Sequence, residues 1–159
     1  MRVFCSILRC LPAAALLACL LLHSSPSSAG DGIDVRGLLS VPKVRLLAVE
    51  FYATWCKPCM AAVPHWKKLH EKYKEKGLYF VVVSVQDDGT CKSPEWNPDK
   101  VICDDDGRLQ QTWKATDLPK AFLWSWQGNL LVSGGSAEQV EAEIEKYFRE
   151  VPRILIKEP

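Results

Sequence analysis

Apolar and polar positions divide most of the chain into short, recognisable elements. Val44 to Ala53 is almost wholly apolar apart from Arg45 and Glu50, the pattern of a strand buried on both faces. From Lys57 to Lys76, Met60, Val63, Trp66, Leu69 and Tyr73 recur at spacings of three and four, with Lys67, Lys68, Glu71, Lys72, Lys74 and Glu75 between them. That period predicts an amphipathic helix closed by Gly77. Leu78 to Val85 reads as a second buried strand, so the helix joins two strands in what is most economically a right-handed βαβ unit. Residues 86–100 carry Gly89, Pro94 and Pro98 among polar neighbours. They predict a surface loop before a short segment at Val101-Ile102-Cys103. Asp104-Asp105-Asp106-Gly107 reads as a turn and helix start, and Leu109 to Lys114 as a short helix. Ala121–Trp126 and Asn129–Ser133 are strand-like about a tight Gln127-Gly128 turn. Ser136 caps a last helix with Val140, Ile144, Tyr147 and Phe148 on its inner face. No internal repeat interrupts this order, which predicts one three-layer α/β domain.

Residues 1–29 follow a different pattern. Arg2 and Arg9 precede an apolar run from Leu11 to Leu22 and then Ser- and Pro-rich sequence, the layout of a secretory signal. The run is about a dozen residues, shorter than the roughly 20 that cross a bilayer as a helix. Small residues at Ser27 and Ala29 suit signal peptidase. Leu16-Leu17-Ala18-Cys19 offers the competing reading, a bacterial lipobox with Cys19 lipidated, and an uncleaved signal is a third. Cys5 and Cys10 are filler in the apolar stretch. The expected organisation is a signal at 1–29, a polar lead-in at 30–42, the domain at 43–150 and a tail at 151–159.

The whole chain of 159 residues has a net charge of +1, too little basic excess to hold a phosphate backbone, so nucleic acid is a poor partner. Without residues 1–29 the chain has 18 basic and 19 acidic side chains. Four cysteines remain: Cys56, Cys59, Cys91 and Cys103. An even number in an exported chain permits disulfide chemistry.

Placement singles out Trp55-Cys56-Lys57-Pro58-Cys59, at the junction of the first strand and first helix. A thiol at a helix N-terminus faces unpaired backbone N–H groups and the positive end of the helix dipole, both of which favour thiolate. Cys56 is therefore the expected nucleophile. Cys59, one turn inward, can resolve a mixed disulfide formed on Cys56. Pro58 costs the first turn no hydrogen bond. Lys57 between the sulfurs either lowers the thiol pKa or is merely solvated.

The sequence here resembles the thioredoxin superfamily, and within it the extracytoplasmic thioredoxin-like proteins of the TlpA/ResA kind. The resemblance rests on Phe51-Tyr52-Ala53-Thr54-Trp55-Cys56-Lys57-Pro58-Cys59 after a buried strand, on Pro64, on Leu118-Pro119 followed by Ala121-Phe122-Leu123, and on Gly128. It spans roughly residues 40 to 150. It implies a thioredoxin fold, a three-layer α/β/α arrangement with a central mixed sheet. The implied activity is that of a thiol:disulfide oxidoreductase, reductive rather than oxidative, with no cofactor beyond the Cys56–Cys59 disulfide. Its expected partners are protein thiol or disulfide substrates and an electron-donor protein; the chain is expected to be a monomer that meets a membrane only through its leader. The resemblance makes Pro119 a cis proline beside the dithiol, and Leu118 a source of backbone hydrogen bonds to substrate. Trp55, Lys57 and Pro58 complete the expected substrate surface, with Trp55 as a lid over the dithiol. Glu50 lies where thioredoxin has a buried acid. Burial would raise its pKa and let it act as a base toward Cys59, unless it reaches solvent or pairs with a lysine.

Three features depart from the family: Leu118 before the proline, a short N-terminal hairpin, and the extra Cys91 and Cys103. That extra pair flanks the Pro-rich loop, and we expect it to form a structural disulfide contributing about 3 kcal/mol. A zinc site is the alternative use of four cysteines, but Cys91 and Cys103 are spaced too widely for a second knuckle, so no metal is expected. His65 and His70 lie on the first helix, where His65 could tune the dithiol. Trp113, Trp124 and Trp126 are assigned to core or hairpin packing, and Trp96 to a partner contact. The competing function is a thioredoxin-fold binding or metal-delivery module with little turnover.

Overall fold

The computed structural model describes residues 32–85, 88 and 90–151. The expected signal, Cys5, Cys10, the Cys19 lipobox and nearly all of the expected tail lie outside them. The elements run α1 (Val35–Leu39), β1 (Leu46–Tyr52), α2 (Lys57–Tyr73), a 3₁₀ turn (Lys74–Lys76), β2 (Leu78–Val85), β3 (Lys100–Asp104), α3 (Arg108–Thr112), β4 (Lys120–Ser125), β5 (Leu130–Gly135) and α4 (Ala137–Glu150). They form one five-stranded sheet in the order β3-β2-β1-β4-β5. β1, β2 and β3 are parallel, β4 is antiparallel to β1, and β5 is antiparallel to β4. This is the mixed sheet of the thioredoxin fold.

Every residue of β1 is buried, which is why its sequence lacks polar alternation. Its two faces feed two cores. Leu46, Ala48 and Tyr52 pack with Cys56, Cys59, Trp66, Leu69, Val140 and Ile144 on the side of α2 and α4. Leu47, Val49 and Phe51 pack with Leu38, Val81, Val83 and Phe122 on the side of α1 and α3. The βαβ unit is as expected, except that α2 stops at Tyr73 and tightens into the 3₁₀ turn before Gly77. Gly77 has φ +100°, and a Cβ there would collide with the Lys43 carbonyl. The close approach is used: the Gly77 carbonyl accepts from the N–H groups of Arg45 and Leu46 at 2.8 and 3.1 Å.

Four expectations change. The lead-in at 30–42 contains α1, capped by Asp34, with Ile33 and Leu38 buried; five helical residues are too few to show a period. The short helix begins at Arg108 and ends at Thr112. Buried Asp104 caps it by accepting from Leu109 N and Gln110 N at 3.0 and 2.8 Å. Trp113 packs with Phe122 and Trp124 as expected, but β4 ends at Ser125 and leaves Trp126 40% exposed. Trp96, expected on the surface, is only 4% exposed, because its ring packs 5.0 Å from Phe80 and 5.3 Å from His70. Ser136 caps α4 as expected, in a reciprocal capping box with Gln139.

Candidate functional site

The strand–helix junction places the two sulfurs differently. Cys56 is the N-cap of α2, and its Sγ accepts from Cys59 N at 3.2 Å. The pair is joined as a disulfide with Cα atoms 5.2 Å apart. Cys56 retains 5% of its exposure and Cys59 none. One sulfur is thus at the rim, in the position where unpaired N–H groups favour a thiolate, and the other lies beneath it. Lys57 and Pro58 are exposed beside Cys56. Trp55 is 53% exposed and Met60 41%, so Trp55 stands open at the rim. The Leu118–Pro119 peptide is cis, and Leu118 packs against the core cluster that contains both cysteines.

Glu50 is 1% exposed, which removes the reading in which it reaches solvent. Strand alternation puts it on the face of Ala48 and Tyr52, the side covered by α2. It pairs in register with Val82 and Ala121, and no lysine pairs with it among the salt bridges of the described residues. Burial pushes its carboxyl from the ordinary 4.5 to about 8. The Trp66 indole opposes that rise from close by, but short of good hydrogen-bond geometry: Glu50 Oε1 and Trp66 Nε1 both lack a partner. A buried acid with that pKa can exchange a proton with a thiol at little cost.

Sequence reasoning missed the polar contacts on the α2 side of the sheet. The Tyr52 hydroxyl donates to Met60 Sδ at 3.0 Å, and burial, then the charges of Glu50 and Glu95, raise its pKa. His70, buried, holds Asp99 at 2.8 Å, and the same carboxylate oxygen accepts from Phe80 N at 2.7 Å. Burial alone would raise the Asp99 carboxyl, but these two bonds outweigh it and hold it low. With Trp96, this clasp ties the 90–99 loop onto α2. A pattern of spacing within one segment carries no trace of it, since His70 and Asp99 are 29 residues apart. His65 faces α4, with Nε2 3.3 Å from Glu141 Oε2 but off hydrogen-bond geometry.

The four cysteines are used in two separate disulfides, the second joining Cys91 to Cys103. Among the described residues no group of three or more His, Cys, Asp or Glu side chains is placed to hold a metal ion, and no helix is long and apolar enough to cross a membrane.

The profile of the Redoxin family matches residues 38–153. The chain belongs to the Redoxin family. Relatives of this Redoxin chain include the thiol-disulfide oxidoreductase ResA of Bacillus thuringiensis, 29% identical over 107 residues, which are 65% of this chain and 61% of that protein. ResA of Oceanobacillus iheyensis is 50% identical over 88 residues, 52% of this chain and 45% of the relative. The Redoxin chain thus spans about three fifths of the length of the first of these and less of the second. The thioredoxin fold is shared with a thiol:disulfide interchange protein from Bacteroides sp., at TM-score 0.56 and 17% identity over 71% of this chain and 79% of that one. A thioredoxin-like protein from Aeropyrum pernix gives TM-score 0.52 at 18% identity, over 68% and 81%. The ResA-like resemblance read from the sequence therefore stands.

Proposed function

We propose that this chain is an extracytoplasmic thiol:disulfide oxidoreductase that reduces protein disulfides through Cys56 and Cys59. The observation that carries the reading is the pairing of a rim sulfur at the N-terminus of α2 with a buried sulfur on the same core face as Glu50. The names of the ResA relatives support the reaction class. The apolar leader with its two arginines supports the compartment.

In the reduced protein the Cys56 thiolate attacks one sulfur of a substrate disulfide and expels the other as a thiolate, leaving a mixed disulfide. Glu50, in the minor deprotonated fraction that a pKa of about 8 leaves at neutral pH, then takes the proton of Cys59, and the Cys59 thiolate attacks Cys56 Sγ. The substrate leaves with both sulfurs reduced, and the two cysteines are left as the disulfide seen here. An electron-donor dithiol protein restores the reduced pair. Exposed Trp55, Lys57 and Pro58 form the substrate surface, with the Leu118 backbone and Pro119 completing it.

Insulin reduction with dithiothreitol as donor tests the assignment: wild type accelerates it and Cys56→Ser does not. A Cys56→Ser protein as fast as wild type would overturn the mechanism. Titration of the pair in redox buffers tests direction. A potential near thioredoxin's, about −270 mV, supports a reductase, whereas one near about −120 mV makes it an oxidant.

A further inference from the structure

The second disulfide shares a rim with the first. Cys103 lies in β3, an edge strand of the sheet. It pairs in register with Ser84 of β2, which pairs with Tyr52 of β1. Cys103 is thus on the rung of Tyr52, two strands away, a lateral separation of about 10 Å. Parallel register and strand alternation also put Cys103 on the Phe80–Val82 face of β2, the face covered by α2. Both disulfides therefore lie at the C-terminal end of the parallel strands, on the same side of the sheet.

Their settings differ. Cys59 is fully buried, whereas Cys91 and Cys103 are both exposed. Thiol–disulfide exchange needs a thiolate to reach a sulfur, and exposure is what a shielded structural bridge lacks. The loop closed by the Cys91–Cys103 bond also has other ties to the domain. Trp96 is buried against Phe80 and His70, Asp99 bonds His70 and Phe80 N, and Lys92 N donates to Ser84 Oγ at 3.0 Å. Opening the bond removes one tie among several.

We infer that Cys91–Cys103 is a second thiol–disulfide exchange site, opened by an external dithiol while the domain stays folded. A thiolate of the dithiol attacks one of the two sulfurs, the S–S bond breaks, and the departing cysteine leaves as a thiolate that takes up a proton. The second thiol of the reagent closes its own disulfide and frees the other cysteine. The dithiol loses two electrons and the Cys91–Cys103 pair gains them. With Cys56–Cys59, the domain then holds four exchangeable electrons on one rim.

The test uses the full chain carrying Cys56→Ser and Cys59→Ser, so that the Cys91–Cys103 bond is the domain's one disulfide. Dithiothreitol is the probe. The reaction is quenched by alkylation, and peptide mass spectrometry follows the gain of two alkyl groups at Cys91 and Cys103, with circular dichroism reporting the fold. The expected result is complete opening in buffer without denaturant, at a rate that stays flat in urea below the unfolding transition. A bond reached only through global unfolding would open about tenfold faster per molar urea even there, and that result, or protection until the transition, would overturn the inference. Wild-type protein mapped by the same peptides gives the same discrimination should the double variant not fold. It also reads Cys56–Cys59 separately, so failure of the proposed catalytic pair is distinguishable from failure of this one.

Discussion

Replacing Glu50 by Gln removes a buried titratable group while keeping its shape, and the consequence follows from the shift in its pKa. Burial raises the carboxyl from 4.5 to about 8. Below pH 4.5 Glu50 is protonated in folded and unfolded chains alike and contributes no pH dependence. Between 4.5 and 8 the unfolded chain releases the proton and the folded one keeps it, so stability falls as pH rises. Above about 8 both states are ionised and the loss is complete. A shift of about 3.5 units at 1.36 kcal/mol each makes that loss about 5 kcal/mol, a ceiling that any water entering beside Trp66 lowers. Glu50→Gln has no such slope. Urea unfolding of the oxidised proteins at pH 5 and pH 9 measures it, with all four domain cysteines held in disulfides so that no thiol titrates. Every other side chain is common to both proteins and cancels in the difference. Wild type should lose several kcal/mol relative to Glu50→Gln between the two pH values. Parallel profiles would mean that the carboxyl ionises normally in the folded state, and would remove the basis for its role as proton acceptor.

The remaining predictions concern the supports of the site. Trp96→Ala should cost about 3–5 kcal/mol in urea unfolding, the range for emptying a large aromatic site, whereas a surface tryptophan kept for a partner would cost almost nothing. Asp104→Ala leaves the N–H groups of Leu109 and Gln110 unpaired and should lower stability by about 2 kcal/mol; calorimetry checks it. Ser136→Ala removes the Oγ that accepts from Gln139 N, leaves the backbone half of the capping box on α4 in place, and should cost about 1 kcal/mol. Cys91→Ser with Cys103→Ser should lower stability by about 3 kcal/mol, from the loop entropy of a sequence separation of 12, with the folded circular dichroism spectrum retained at low temperature.

Much of this architecture is legible in the chain because it is encoded locally. The apolar run of β1, the helical period of α2 and the cap at Ser136 each depend on residues within a few positions of one another. Position also singles out Cys56: a strand that ends just before a helix start puts that thiol at the helix N-terminus whatever packs around it. Glu50 was recognisable as an anomaly for the same reason, a charge in an apolar run. Trp96 was misread because an irregular loop has no period, so its sequence does not say which side chains point inward. The five-residue α1 is hidden by its brevity, and β4 lies one residue earlier than its apolar pattern predicts because a turn and a strand end share the same residues.

By itself the sequence determined the order of the strands and of the helices other than α1, the dithiol at a helix start, and an acid set in an apolar strand. Only the tertiary structure decided how deep that acid lies, that Trp66 is its polar neighbour, that His70 meets Asp99, and that Cys103 shares a rung with Tyr52. Local features follow from steric and hydrogen-bonding preferences within a turn or a strand, whereas burial and register arise when segments distant along the chain compete for the same space. The chemistry at the rim is written in adjacent residues, and the environment that tunes it is assembled by packing.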